Sequence, residues 1–250
     1  KQVLEYCKID KEVSESIYLN EIQNLKDEKI FPQDKSKILK YSSLENIDEI
    51  YNIYQQRLIE INAVDFGDIL LHSYFILINH KDIQETHSNF IQHILIDEFQ
   101  DTNLLQYDLI KLLLNNNQNL FCVGDDDQSI YAWRGAKIEN IINFPNEFNC
   151  EVVRLTKNYR SNNAILEAAS SIISNNKNRL GKNLESFNNK IPEQKINLKS
   201  FYSQEEESLW VADNISRKYN DQETFGILVR LTAQMRSIED KLIKYALPYE

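Results

Sequence analysis

Glycine and proline are scarce in this sequence, with five and four residues among 250. That leaves little material for long linkers or low-complexity spacers, and no internal repeat is visible. Cysteine is scarcer still. Cys7, Cys122 and Cys150 lie far apart. No pair has metal-ligand spacing, and an odd number makes a poor disulfide framework. Cys122 sits in an apolar run and reads as a small core residue. His72, His80, His87 and His93 show no HExxH or HxxxH pairing, which speaks against a zinc site. No apolar run has membrane-spanning length and no signal-peptide pattern stands at Lys1, so no membrane partner is expected and a cytoplasmic location is the default. A basic surplus is also missing. The net charge of −10 argues against a bulk electrostatic nucleic-acid binder, while leaving room for a local basic or aromatic groove.

What is present suits a soluble globular chain. Its 42% hydrophobic content and its length allow one large core or two small ones. Up to about residue 90 the chain reads as helices. Ser43 to Asn62 places Leu44, Ile47, Ile50, Tyr51, Tyr54, Leu58 and Ile61 at helical steps. Asp65 to Asn79 is a second, more apolar helix, expected to be more buried. From about residue 90 the texture changes. His93 to Ile96 (HILI) is a short apolar run closed by Asp97 and Glu98. A helical stretch, Asn103 to Leu114, follows, with Asn115 to Asn117 as its polar stop, and then a second apolar run, Leu120 to Val123, closed by Gly124 and Asp125. Strand, helix, strand at this spacing predicts a βαβ unit with a parallel sheet. Ligands of such sheets bind beyond the carboxyl ends of the strands, where both runs deliver their acids.

Three further strands are predicted: Glu151 to Leu155, Gln194 to Phe201 and Phe225 to Val229. Helices are predicted from about Asn163 to Ser174, after a capping box at Ser203 and Glu206, and from Ala233 to Tyr245. The second βα series suggests another α/β domain beginning near residue 157.

The chemistry gathers at the strand ends. In ILIDE (Ile94 to Glu98) the first carboxylate, Asp97, can hold Mg²⁺ and the second, Glu98, can orient and deprotonate an attacking water. Equally, a strand can end in two acids that merely face solvent. Gln128 both donates and accepts, which suits a group sensing a phosphate, or simply a turn residue. Tyr131, Trp133 and Arg134 suit stacking on unpaired bases, worth ~1–3 kcal/mol per base. The ordinary fate of a tryptophan is the core. Asn158-Tyr159-Arg160-Ser161 offers a ring for a base and an arginine for a transferring phosphoryl group, or an ordinary ion pair.

Together these segments resemble the superfamily 1 DNA helicases of the UvrD/Rep/PcrA type. ILIDEFQDTNLLQ (Ile94 to Gln106) looks like motif II of that family, VGDDDQSIYAWRGA (Val123 to Ala136) like motif III and LTKNYRSNNAIL (Leu155 to Leu166) like motif IV. DFGDILL (Asp65 to Leu71) and ILVRLTAQMRSIEDKL (Ile227 to Leu242) are similar to flanking family segments. The resemblance implies an α/β fold of RecA-like parallel sheets with helices on both faces, plus a mostly helical N-terminal segment. The implied division is a helical segment to residue 88, the latter part of a first RecA-like domain over 89–156, and the start of a second over 157–250. It implies that Asp97 holds the Mg²⁺ of ATP, Glu98 activates water, Gln128 couples the γ-phosphate to the DNA groove, Tyr159 packs on adenine and Arg160 reaches the γ-phosphate. Tyr131, Trp133, Arg134, Phe66 and Arg230 are the implied contacts to single-stranded DNA. The implied activity is ATP-driven 3′–5′ movement on single strands and unwinding at single-strand/duplex junctions, with repair or replication proteins as partners.

The family's phosphate-cradling GxxxxGK[ST] string does not occur here. Of Gly67, Gly124, Gly135, Gly181 and Gly226, only Gly181 precedes a lysine, and Asn176 stands where the first glycine should. The expectation is therefore a central slice of a helicase that does not hydrolyse ATP by itself. A fragment of a helicase–nuclease subunit and a non-catalytic remnant of a split gene are the alternatives. Ala132 and Met235 depart from the usual wording without removing a needed group.

Overall fold

The computed structural model describes residues 3–4, 7, 14–114, 119–177, 179–187, 196–220 and 224–250. These fall into two compact units. One comprises Lys1–Tyr159 with Ala168–Phe187, the other Arg160–Glu167 with Asn188–Glu250. No helix among the described residues is long and apolar enough to cross a membrane.

The first unit begins with helices α1 (Glu15–Asp27), α2 (Lys35–Tyr41), α3 (Ile47–Glu60), α4 (Phe66–Asn79) and α5 (Lys81–Phe90). Tyr18, Ile22, Leu25, Ile38, Ile47, Ile50 and Tyr51 close one core between α1, α2 and α3. The helical spacing of Ser43 to Asn62 is realised as α3. The start of α4 is fixed by reciprocal capping. Asp65 accepts from the Asp68 N–H at 2.8 Å, and Asp68 accepts from the Asp65 N–H at 3.2 Å. Lys26, fully buried, pairs with both carboxylates at 2.7 and 2.8 Å. Helix α4 is not more buried than α3. Ile69, Phe75, Ile76 and Ile78 are exposed, and only Gly67, Asp68, Leu71 and Leu77 are buried. Apolar composition sets how much surface a helix can bury, but only a packed neighbour buries it.

The strand-helix-strand unit is present. β1 (His93–Ile96) and β2 (Asn119–Cys122) pair in parallel, with Ile96 opposite Cys122. Between them runs α6 (Leu104–Leu113), capped reciprocally by Asn103 and Gln106 at 2.8 and 3.0 Å. Helix α7 (Ile138–Phe148) packs on the same side. Phe99, Tyr107 and Phe144 form the core there, joined by Ile96, Leu120, Cys122 and Phe148. The Phe99 and Phe144 rings meet edge to face at 5.0 Å, a favoured aromatic geometry. The other face of this sheet, with Leu95 opposite Phe121, is exposed. Helices therefore cover one face only among the described residues, not both as expected.

The remaining strand predictions fail. Glu151 to Leu155 is exposed and unpaired as a strand, and the strand that does form is β3 (Lys157–Asn158), parallel to β4 (Glu185–Ser186). Ile196 to Phe201 and Phe225 to Val229 are irregular, while Gln194 and Lys195 lie outside the described residues, as do Asn115 to Asn117. An apolar run becomes a strand only when a neighbour accepts its backbone hydrogen bonds. None does so for these runs among the described residues.

Helix α8 (Asn163–Ile173) crosses the division between the units. The second unit holds α9 (Gln204–Lys218) and α10 (Met235–Lys244) around Ala212, Leu242 and Leu247. Ser203 caps α9 through the Glu206 N–H at 3.2 Å, but the Glu206 side chain accepts from Tyr202 rather than from Ser203, so the capping box is half formed.

Candidate functional site

The rim of the β1–β2 sheet is built by two strand ends tied together. The Val123 N–H donates to the Ile96 carbonyl at 2.7 Å, and the Phe99 N–H to the Val123 carbonyl at 3.0 Å. Asp97, Glu98 and Gln128 consequently leave neighbouring strands at the same carboxyl edge. Gln100, almost wholly buried, ties the two strand ends together at Glu98 and Asp125. Its Nε2 donates to Glu98 Oε2 at 2.7 Å, and its Oε1 accepts from the Asp125 N–H at 2.9 Å. Gly124 is what admits Gln100, since a Cβ there would stand 2.8 Å from Gln100 Oε1. Sequence reasoning missed Gln100, although the amide stands in plain view two residues after Glu98.

Glu98 itself has φ of 50°, the left-handed region that a non-glycine residue enters at a cost of roughly 1–2 kcal/mol. Such strain is held where the surroundings determine it, and it is commonest at working sites. Asp97 and Glu98 are both exposed, and neither forms an ion pair with a Lys, Arg or His among the described residues. Among the described residues Asp97 Oδ1 accepts only from the Glu98 N–H, at 2.9 Å. Two carboxylates without a basic neighbour are a donor set that suits a hard divalent cation such as Mg²⁺. Asp101, one turn on, has its carboxyl pushed up, first by burial and then by the charge of Glu98, and its Oδ1 finds no hydrogen-bond partner.

The second strand end differs. Gln128 donates to Asp125 Oδ2 at 2.6 Å, and Lys182 pairs with the same carboxylate oxygen. Burial alone would push the Asp125 carboxyl up. The Lys182 ammonium and the Gln128 amide outweigh it and hold the carboxyl below the usual carboxylate range. Arg179 grips Asp127 through two bonds, 2.9 and 2.6 Å.

Beyond Gln128 the chain turns through Ala132–Arg134, a single 3-10 turn. Trp133 is 66% exposed, so its ring is available as a surface. The Arg134 guanidinium lies 4.6 Å from the Trp133 ring centre and 5.3 Å from that of Tyr131. Gly135 ends the turn with φ of 82°, a left-handed conformation that glycine adopts without steric cost. The chain then returns to the capped start of α6, where Ala136 bridges to Asn103. A Cβ on Gly135 would lie 3.3 Å from Asp27, which Gln23 in turn holds at 2.9 Å. Gln23 also fills the space beside Gly67, the neighbour of the 89%-exposed Phe66. The end of α1 thus lies beneath both aromatic segments.

Tyr159 is exposed and meets Phe187 at 4.6 Å. Arg160 and Arg230 belong to the second unit and are exposed.

Comparison with known families and relatives gives the family. Residues 1–149 match the UvrD/REP helicase N-terminal domain, and residues 153–250 match the UvrD-like helicase C-terminal domain. The chain belongs to the UvrD/REP helicase family. A probable DNA helicase II homolog from Rickettsia felis is 39% identical over 92% of this chain and 36% of its own length. DNA helicase II of Haemophilus influenzae is 39% identical over 91% of this chain and 31% of its own. The ATP-dependent DNA helicase PcrA of Staphylococcus aureus strain Mu50 is 35% identical over the whole chain and 34% of its own length. This UvrD/REP-family chain therefore spans about a third of the length of the relatives it matches.

Proposed function

We propose that the chain is the part of an ATP-dependent 3′–5′ DNA helicase in which nucleotide hydrolysis is coupled to a base-stacking surface. The observation that carries this reading is the shared rim. An acid pair with no ion-pair partner among the described residues follows one strand, Asp125 follows its parallel neighbour, Gln100 bridges Glu98 to the Asp125 N–H, and the loop beyond Asp125 carries Gln128 and an exposed tryptophan.

On this reading Asp97 holds Mg²⁺, which would supply charge neutralisation between the phosphates of ATP. Glu98, its carboxylate oriented by Gln100, draws the proton from the attacking water. Gln128 sits on Asp125 and turns toward the γ-phosphate when nucleotide is bound. Tyr159 packs on the base and Arg160 meets the charge on the transferring phosphoryl group. The loop from Gln128 to Arg134 is a single short connection, so a change at its phosphate end moves Tyr131, Trp133 and Arg134 at the other. Phe66 and Arg230 add DNA contacts. The layout is RecA-like, with a helical segment to residue 88 and domains meeting near residue 157. The substrates are single strands and single-strand/duplex junctions, and repair or replication proteins are the partners. The chain contains no GxxxxGK[ST] string, so these 250 residues alone do not turn over ATP.

The test is DNA-stimulated phosphate release from the full-length protein and from the 250-residue chain. Release by the full-length protein that Glu98→Gln removes, with none from the 250-residue chain, is expected. Undiminished release by the Glu98→Gln protein would overturn the assignment.

A further inference from the structure

The acids of the second strand end are held by one stretch of chain. Arg179 makes two bonds to Asp127, the Leu180 N–H donates to Asp126 Oδ2 at 2.7 Å, and Lys182 pairs with Asp125. Three adjacent carboxylates are thus each met by a separate group within four residues. Arg179 and Lys182 are each only 19% exposed, so these pairs are partly shielded from water and salt. The same stretch then runs on into β4. The Glu185 N–H donates to the Thr156 carbonyl at 2.9 Å, the Phe187 N–H to the Asn158 carbonyl at 2.8 Å, and the Phe187 ring lies on Tyr159. One nine-residue segment is therefore fastened at one end to the loop carrying Gln128 and at the other to the strand leading into Tyr159 and Arg160.

We propose that Arg179–Phe187 is a coupling strap, in which Arg179 and Lys182 are positioning residues that link the phosphate-sensing loop to β3, the strand that precedes Tyr159 and Arg160. The proposal rests on the functional reading above. Its chemistry lies in the shared oxygen of Asp125. Lys182 and Gln128 both bind Asp125 Oδ2. When Gln128 leaves to meet a phosphate, Lys182 keeps that carboxylate paired, so the amide departs without stranding a charge. The fork on Asp127 carries direction. A bidentate guanidinium–carboxylate pair resists rotation, so displacement of the 3-10 turn Asp126–Gln128 is passed to the strap rather than absorbed at the contact. β4 then carries it to β3. Two sites are coupled in this way when one element has contacts that differ between the two states.

The experiment uses the full-length protein and a charge exchange. R179D and D127R, made separately, are each expected to lower kcat for DNA-stimulated ATP hydrolysis about fivefold or more, with KM for ATP moving less than about twofold. Combining them reverses the polarity of the pair and is expected to restore most of the lost rate. A full rate in R179D, or a double variant no better than the poorer single one, would overturn the strap. E98Q run alongside separates the two claims: if E98Q turns over ATP normally, the underlying reading has failed, and if only the exchange fails, the strap alone has. A measurement that needs no variant guards against misfolding. Hydrogen exchange at the Glu185 and Phe187 amides of the unaltered protein is expected to change when a non-hydrolysable ATP analogue is added. Unchanged exchange there, with the analogue bound, contradicts the proposal.

Discussion

Two acid clusters stand at neighbouring strand ends, and they have opposite surroundings. Asp97 and Glu98 face solvent with no basic partner among the described residues, and Glu98 is held in a left-handed backbone conformation. Asp125, Asp126 and Asp127 are each paired, by Lys182, the Leu180 N–H and Arg179. The number of carboxylates is thus a poor guide to what they do. A carboxylate already matched by a cation is part of the scaffold, because removing its partner would strand a charge. A carboxylate left without one is open to a metal ion or a proton. Gln100 is the piece that makes the two clusters a single rim while keeping their roles apart.

The comparison predicts unequal consequences. The largest is expected at the open cluster. In the full-length protein Glu98→Gln lowers DNA-stimulated phosphate release by about 10²–10⁴-fold, the usual worth of a general base. Asp126→Asn changes it by less than about tenfold, because the Leu180 N–H can still bond a neutral amide oxygen, though more weakly than the carboxylate. Equal losses would erase the distinction. At the far end of the loop, Trp133→Ala is expected to weaken single-stranded DNA binding by the loss of one base stack, ~1–3 kcal/mol or roughly 5–150-fold, read by fluorescence anisotropy of a labelled oligonucleotide. An unchanged affinity would remove Trp133 from the DNA surface.

Gln100→Leu tests the bridge. It leaves the Asp125 N–H without its acceptor and Glu98 without its donor, which costs about 1–3 kcal/mol when the groups are shielded from water. Urea unfolding of the 250-residue chain reads it as a lower midpoint. The smallest effect is expected at Asp27, beneath the aromatic loop. Burial, opposed by the hydrogen bond from Gln23 and aided by Glu28, pushes its carboxyl up from 3.8 to about 6. The folded state therefore binds this proton more tightly than the unfolded chain does. The stabilisation is complete below the ordinary value and is lost as pH rises through about 6. Asp27→Asn removes that loss, so the variant should unfold at higher urea than the parent at pH 7.5, by about 1 kcal/mol, with the gap closing toward pH 4. A gap of the same size at both pH values would show that the charge on Asp27 is not the cause.

Local patterns carried the reading well where short-range physics decides. The period of α3, the helix over Asp65 to Asn79 and the βαβ spacing of His93 to Val123 are all written in neighbouring residues, and the structure has them. The placing of the acids at the strand ends was legible to the same extent. The strands that precede Asp97 and Asp125 do pair in parallel as their spacing predicts, and Trp133 is exposed rather than in the core. What was not legible depends on partners distant in sequence. Val153 and Leu228 look like strand residues, but each is exposed without a pairing neighbour among the described residues. The helix over Asp65 to Asn79 looks buried, yet Phe66, Ile69, Phe75, Ile76 and Ile78 are exposed. The ties of Arg179 to Asp127 and Lys182 to Asp125 join positions more than fifty residues apart, and no local period announces them.

The most direct test of the division between the two clusters uses Mn²⁺ in place of Mg²⁺, with a non-hydrolysable ATP analogue on the full-length protein. Electron paramagnetic resonance then reports the bound ion. Asp97→Asn is expected to weaken Mn²⁺ binding tenfold or more (about 1.4 kcal/mol or more), and Asp127→Asn to leave it within about threefold. Loss of the bound-ion signal in Asp127→Asn with retention in Asp97→Asn would contradict the account outright.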